Sequence, residues 1–162
     1  MMRTGSKGFT LLELIIVLIL VSLLAFLITP SLTRTLSHME AKGSAKRIAA
    51  ILRYCRSDAI NKRRVNLVNF DTASNLVSVY SINEEEAEPR AERFYPLPGG
   101  VKMEKIEVGK ALFDSSVPTF EFYPNGGSNG GTALIQGEKG RAYSIRVEIL
   151  TGGVKVGESE EK

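Results

Sequence analysis

Few residues in this chain have the types and spacing that chemistry needs. There is one histidine, His38, and one cysteine, Cys55. One ligand of each kind cannot build a protein zinc site, and a lone cysteine has no partner for an internal disulfide. His38 is the sole imidazole for a Ser-His-Asp set, and it falls on a predicted helix rather than in a loop cluster. The acidic run Glu84-Glu85-Glu86-Ala87-Glu88-Pro89 lacks the D-x-[DN]-x-[DN]-G spacing of a calcium loop. The run Pro124-Asn125-Gly126-Gly127-Ser128-Asn129-Gly130-Gly131 is not followed by G-K-[ST], so it reads as a turn and not as a phosphate loop. No catalytic residue, metal or cofactor is expected, and the chain reads as a non-enzyme. One pointed arrangement remains. Lys7-Gly8-Phe9-Thr10-Leu11-Leu12-Glu13 places a base, a glycine, an aromatic and then a single acid at the head of an apolar segment.

The element that must position this arrangement is that segment. Residues 9–28 hold sixteen Leu, Ile, Val or Phe, with Ala25, Thr10, Glu13 and Ser22 as the remainder. Twenty helical residues span about 30 Å, the thickness of a bilayer's hydrocarbon core. Sixteen strongly apolar side chains favour insertion by about 5–10 kcal/mol. One acid costs about 3 kcal/mol on a comparable scale, so the segment is expected to insert despite Glu13. Only Arg3 and Lys7 carry charge before it, which puts Met1 in the cytoplasm and the bulk of the chain outside. The run is longer than a secretory h-region, and Leu27-Ile28-Thr29-Pro30-Ser31 offers no A-x-A for signal peptidase.

The unbroken G-F-T-L-L-E, Gly8 to Glu13, behind a short basic leader, resembles the class III leader of type IV pilin-like proteins. The resemblance implies that a prepilin peptidase cuts between Gly8 and Phe9 and methylates the new N-terminal Phe9. It implies that Glu13 sets subunit register during assembly, and that Pro30 is a helix kink. The residues make that chemistry intelligible. Gly8 lets an extended chain enter a tight site. Cutting there removes Arg3 and Lys7 and creates an ammonium on Phe9, four residues from Glu13. On one helical face the two charges would neutralise each other in lipid, within a chain or between neighbours.

Residues 31–64 read as one long amphipathic helix continuing the first. Leu32, Leu36, Met39 and Gly43 share a face, read as packing on other subunits or lipid. The stripe then moves to Ala41, Ala45, Ile48, Leu52, Cys55 and Ala59, read as packing on the chain's own C-terminal domain. Gly43-Ser44 marks the change and is a place for the helix to loosen. A continuous helix over the 54 residues from Phe9 to Lys62 would be about 80 Å long. No globular core of this size needs such a rod, and a filament core does. The segment 31–64 carries nine basic and two acidic residues. A solvated face that also pairs with the acidic domain is the plainer reading of that excess. DNA binding is the alternative, though only Tyr54 offers a ring for base stacking.

After Arg64 the period becomes two. Strands are expected at 65–70 and 76–82 as a hairpin around the turn 71–75, then at 101–108, 119–123, 133–136, 142–150 and 154–156. Phe94–Pro98 reads as a short extended piece, 84–89 as an exposed loop, and 157–162 as a frayed tail. The expected fold class is α+β: a long N-terminal helix packed on a C-terminal antiparallel β domain. Its parts are a leader at 1–8, an assembly helix at 9–30, an amphipathic helix at 31–64 and the β domain at 65–162. A second resemblance lies here. Phe120-Glu121-Phe122-Tyr123-Pro124-Asn125-Gly126, then Tyr143-Ser144-Ile145-Arg146-Val147, then Thr151-Gly152-Gly153-Val154 is similar to the F-x-F-x-P-x-G … Y-x-I-x-V … T-G-x-V pattern of GspH/FimT-type minor pilins.

Together the two resemblances imply a pilin-like structural subunit. The first expectation is a minor pseudopilin of a type II secretion system, a tip component that supports protein secretion. The alternative is a FimT-type minor pilin acting in pilus assembly or in DNA binding and uptake. Implied partners are other pseudopilins or pilins in a hetero-oligomeric filament, the prepilin peptidase, an inner-membrane assembly platform and secreted substrates. The implied location is a single pass through the bacterial inner membrane, N-terminus cytoplasmic and C-terminal domain periplasmic, and then the pseudopilus.

Overall fold

The computed structural model describes residues 9–82, 90–113, 115–137 and 142–159, with the backbone alone for 26–38 and 90–92. The leader 1–8 and the acidic loop 84–88 lie outside the described residues, as do the side chains of Leu32, Arg34, Leu36 and His38. The chain divides into two compact units, Met1–Thr35 and Leu36–Lys162. One helix, α1 (Leu11–Lys62), contributes to both. Eight strands follow: β1 (Val65–Asp71), β2 (Leu76–Ile82), β3 (Arg90–Pro96), β4 (Val101–Val108), β5 (Thr119–Phe122), β6 (Gly131–Gly137), β7 (Ala142–Val147) and β8 (Val154–Ser159). They form two four-stranded sheets, β3-β2-β1-β5 and β4-β6-β7-β8, antiparallel throughout. The fold is α+β, a helix packed on antiparallel sheets.

The stripe on α1 organises the second unit. Ala41, Ala45, Ile48, Leu52, Cys55 and Ala59 are all buried, joined by Ala49 and Ile51. Against them lie Val68, Phe70, Val77, Val79, Phe120 and Phe122 from one sheet. Val101, Met103, Ala133, Ile135, Tyr143, Ile145 and Val147 come from the other, so both sheets share one core with one helix face. Register follows the alternation: Val68 stands opposite Val79 and Phe70 opposite Val77, each pair pointing inward. The Phe70 and Phe120 rings meet edge to face at 5.3 Å. Met39 is exposed, as expected of a residue on the other face, and the helix passes through Gly43-Ser44 without a break.

The helix stops at Lys62, two residues before the expected Arg64. Arg63 adopts a left-handed φ of 50°, and the Arg64 N–H donates to Ala59 O at 3.2 Å, which closes the end as a Schellman turn. Asp58, 7% exposed, gathers the cations and the amide around that end. Lys62 Nζ lies 2.8 Å from Oδ1 and Arg64 Nη2 2.8 Å from Oδ2. Asn66 Nδ2 donates to Asp58 Oδ2 at 3.0 Å and to Cys55 O at 2.8 Å, so the first strand is stitched to the helix it follows. Burial pushes the Asp58 carboxyl up, but the bonds from Lys62, Asn66 and Arg64 outweigh it and lower the pKa from 3.8 to about 2.

Three expectations for the strands need correction. β3 is seven residues long and not a short piece at 94–98, because pairing with β2 recruits Arg90-Ala91-Glu92-Arg93, a stretch with no strand pattern of its own. β7 ends at Val147 because Glu148–Gly153 folds into a turn, with Glu148 N–H donating to Gly153 O and Gly152 N–H to Glu148 O, both 2.9 Å. The tail expected to fray from Gly157 is strand to Ser159, since Gly157, Glu158 and Ser159 pair with Ser144, Tyr143 and Ala142.

Glu121, alone among the side chains of β5, is an acid, and it is fully buried. It lies on the opposite face of the sheet from Phe120 and Phe122. Its carboxylate accepts the N–H groups of Leu112 and Phe113, both at 2.9 Å, and the Tyr123 hydroxyl at 2.7 Å. Burial and this neighbour push the Tyr123 hydroxyl well above its usual range, so it keeps its proton and donates. The acid thus holds the segment before β5 down on the sheet.

Two outcomes follow. Arg63→Gly should raise stability by about 0.5–1 kcal/mol in chemical denaturation, because glycine adopts a left-handed φ without the Cβ penalty. The Asp58 contribution, of order 2 kcal/mol, should be complete above pH 3.8 and vanish as pH falls through about 2. Asp58→Asn should remove that part of the acid dependence in a stability-against-pH series.

Candidate functional site

The N-terminal arrangement builds itself from local rules. Thr10 caps α1: its Oγ1 accepts the Glu13 N–H at 3.2 Å and its carbonyl accepts the Leu14 N–H at 3.2 Å. Glu13 falls in the first turn, where a carboxylate faces unpaired amides and the positive end of the helix dipole. Phe9 stands just before the cap, 81% exposed and outside the helix. Phe9 and Glu13 therefore do not share a helical face in the uncut chain, whereas the expected pairing concerns the chain after cutting. The cap at Thr10 starts the helix one residue too late for a shared face before the cut. Gly8 lies outside the described residues. Pro30 lies within the run assigned to α1, and its side chain is outside the description.

Behind the cap, the first unit shows apolar side chains on every side. The large hydrophobics from Leu11 to Leu24 are all exposed, from 45% at Ile15 and Val17 to 79% at Leu11. A helix apolar all round belongs in lipid or among other apolar helices, not in water. Its polar interruption is muted, since Ser22 Oγ donates to Leu18 O at 2.7 Å and leaves no hydroxyl proton seeking a partner. Among the described residues no helix is long and apolar enough to cross a membrane. The described side chains of this stretch end at Ala25, and the apolar run in the sequence continues to Ile28.

The basic face of the second unit is largely committed inward. Arg53 Nη2 donates to Val154 O at 2.9 Å. Arg56 Nε reaches Thr151 O at 2.6 Å and Gly126 O at 3.2 Å. Arg47 stacks over Tyr95 at 5.7 Å, while Lys62 and Arg64 hold Asp58. The expected pairing with the acidic domain thus takes another form, because Arg53 and Arg56 bind main-chain carbonyls and not carboxylates. Gly152, at φ 57°, makes the Arg56 contact feasible, since a Cβ there would lie 2.5 Å from Gly126 O and 3.0 Å from Arg56 Cδ. Cys55 is fully buried on the stripe. Among the described residues no cluster of three His, Cys, Asp or Glu could hold a metal ion.

Sequence reasoning missed Thr10, whose T-x-x-E spacing to Glu13 is a readable capping box. It also missed Arg56, for which no signal exists, because an arginine that grips carbonyls looks like any surface arginine.

Residues 3–29 match the family described as the prokaryotic N-terminal methylation motif. No curated protein matches the chain. Among solved structures, the minor pseudopilin EpsH from the type 2 secretion system of Vibrio cholerae is similar, with TM-score 0.61 and 17% identity over 75% of this chain and 99% of that one. A second crystal structure of EpsH gives TM-score 0.61 and 15% identity over 76% and 97%. The type IV minor pilin FimU of Pseudomonas aeruginosa gives TM-score 0.53 and 18% identity over 73% and 88%. The chain thus carries the methylation motif and has the fold of minor pseudopilins and minor pilins.

Thr10→Ala should cost about 1 kcal/mol of local helix stability. Amide exchange on the full chain in micelles should quicken at Glu13 and Leu14 and stay unchanged at Leu52 and Val68. Unchanged exchange at Glu13 would show that the cap contributes nothing.

Proposed function

We propose that this protein is a minor pseudopilin, a structural subunit of a type II secretion pseudopilus. The observation that carries the reading is the union of two parts: a methylation motif at the head of an all-round apolar helix, and a fold shared with EpsH. Its work is assembly. Prepilin peptidase cuts the bond between Gly8 and Phe9 and methylates Phe9. The cut removes Arg3 and Lys7, whose charge had anchored the leader on the cytoplasmic side. The apolar helix, freed of its leader, leaves the inner membrane for a bundle of like helices supplied by other pseudopilins and organised by the assembly platform. Pro30 bends the helix as it packs.

Glu13 is the register device of this reading. Before cutting, it sits on the capped first turn of α1. After cutting, an ammonium appears four residues away, and the two charges neutralise each other inside a chain or across a contact. An unpaired carboxylate among apolar helices is costly, so only the axial offset that pairs it is favoured. The β domain projects from the filament on the periplasmic side, where secreted proteins would meet it. The likeness to FimU supports a second reading, a minor type IV pilin in pilus assembly or DNA uptake, with the same N-terminal chemistry.

Mass spectrometry of the mature chain should find N-methylphenylalanine at Phe9 and no trace of residues 1–8. A mature chain that starts at Met1 would end both readings. Glu13→Leu should leave membrane insertion intact and abolish recovery in sheared filaments. Deleting the gene should impair protein secretion; a loss confined to pilus function or DNA uptake would select the second reading.

A further inference from the structure

The turn between β7 and β8 is held from several sides and yet presents apolar side chains to water. Besides its two internal bonds, Ile149 O accepts the Ser128 N–H at 2.8 Å and Thr151 O accepts Arg56 Nε at 2.6 Å. At the apex, Ile149 is 63% exposed and Leu150 91% exposed. Ile149 keeps part of its side chain against Gly130, but Leu150 stands in water and adds nothing to folding, so the stability of the fold does not account for it. Around them basic residues outnumber acidic ones. Arg53 and Arg56 bond the turn and the start of β8, Arg146 is exposed at the end of β7, and Lys155 follows on β8. Among the described residues the acids at this end of the strands are Glu148, bonded to Lys155 at 2.7 Å, and Glu107, in the cross-strand row of Arg146 and bonded to Lys105 at 2.6 Å. Glu158 lies towards the other end of the sheet, paired in register with Tyr143.

We propose that this turn is a docking surface for an anionic lipid interface, with Leu150 and Ile149 entering the acyl boundary and the exposed Arg146 and Arg53 meeting phosphates. A convex tip of two side chains offers far less than the roughly 800 Å² per partner of a stable protein interface. A bilayer surface needs no matching pocket, because lipid closes around an apolar tip while basic side chains stay at headgroup depth. The turn is ordered beforehand, so docking freezes little that was free. The inference goes beyond the filament reading and does not depend on it.

The test uses the full chain carried in nanodiscs of zwitterionic lipid, or the free chain if it stays soluble, which keeps a failure of the membrane-helix reading distinct. Cys55 is fully buried, so Leu150→Cys can be labelled selectively with a polarity-sensitive dye. The dye should shift blue when vesicles of phosphatidylglycerol and phosphatidylcholine are added, but not with phosphatidylcholine alone, and the shift should fade with salt. In flotation of unlabelled protein, the double variant Ile149→Ser, Leu150→Ser should bind about a hundredfold more weakly. Arg146→Glu should lose about thirtyfold. Leu112→Ser, at another exposed site, should change nothing. The proposal is overturned if anionic vesicles do not bind or if the double variant binds them as well as the parent. It is also overturned if the dye responds to protein concentration without vesicles, which would make a second copy of the chain the occupant.

Discussion

A single helix stripe must serve two sheets at once, and the architecture of the second unit follows from that constraint. The stripe meets it by being thin. Ala41, Ala45, Ala49 and Ala59 are all fully buried, and Ile48, Leu52 and Cys55 fill the seam beside them. A larger residue at any of the four would overpack the core that helix and sheets share. The phenylalanines that complete the core, Phe70, Phe120 and Phe122, come from the strands, so bulk sits on the sheets and the helix supplies the groove.

The same helix is asked for opposite things along its length. In the first unit its large described side chains are apolar and exposed on all sides. In the second, one face is apolar and the other charged. Asp58 and Arg56 make the second half specific: one ties the helix end to the strand that follows, the other reaches turns at positions 126 and 151. With these ties in place, the helix cannot slide along its own domain.

The readable parts of this structure were those with a period. The stripe Ala41–Ala59 at alternating spacings of four and three is buried as expected, and the β1–β2 hairpin lies within a residue of its reading. β3 was illegible because Arg90-Ala91-Glu92-Arg93 has no alternation; its strand exists because β2 has an edge to pair. Glu121 misleads for the opposite reason. In an alternating strand an acid between two phenylalanines reads as solvent-facing, and only the segment at Leu112–Phe113 folding over it makes it a buried acceptor. For the N-terminal segment the local cap was legible in Thr10-x-x-Glu13. In the uncut chain helix geometry begins after Thr10, so Phe9 stands outside the helix that holds Glu13.

Arg53 and Arg56 hold the domain by main-chain oxygens, a kind of grip with a long-term consequence. A carbonyl is present whatever residue occupies the position, and it neither titrates nor changes with mutation. The glycine at 152 is constrained by the approach of the arginine and Ile149 by its contact with Gly130, but the side chain at 150 is not part of the fastening. Residue 150 can therefore change, giving descendants of one frame different surfaces to show, without loosening the joint beneath.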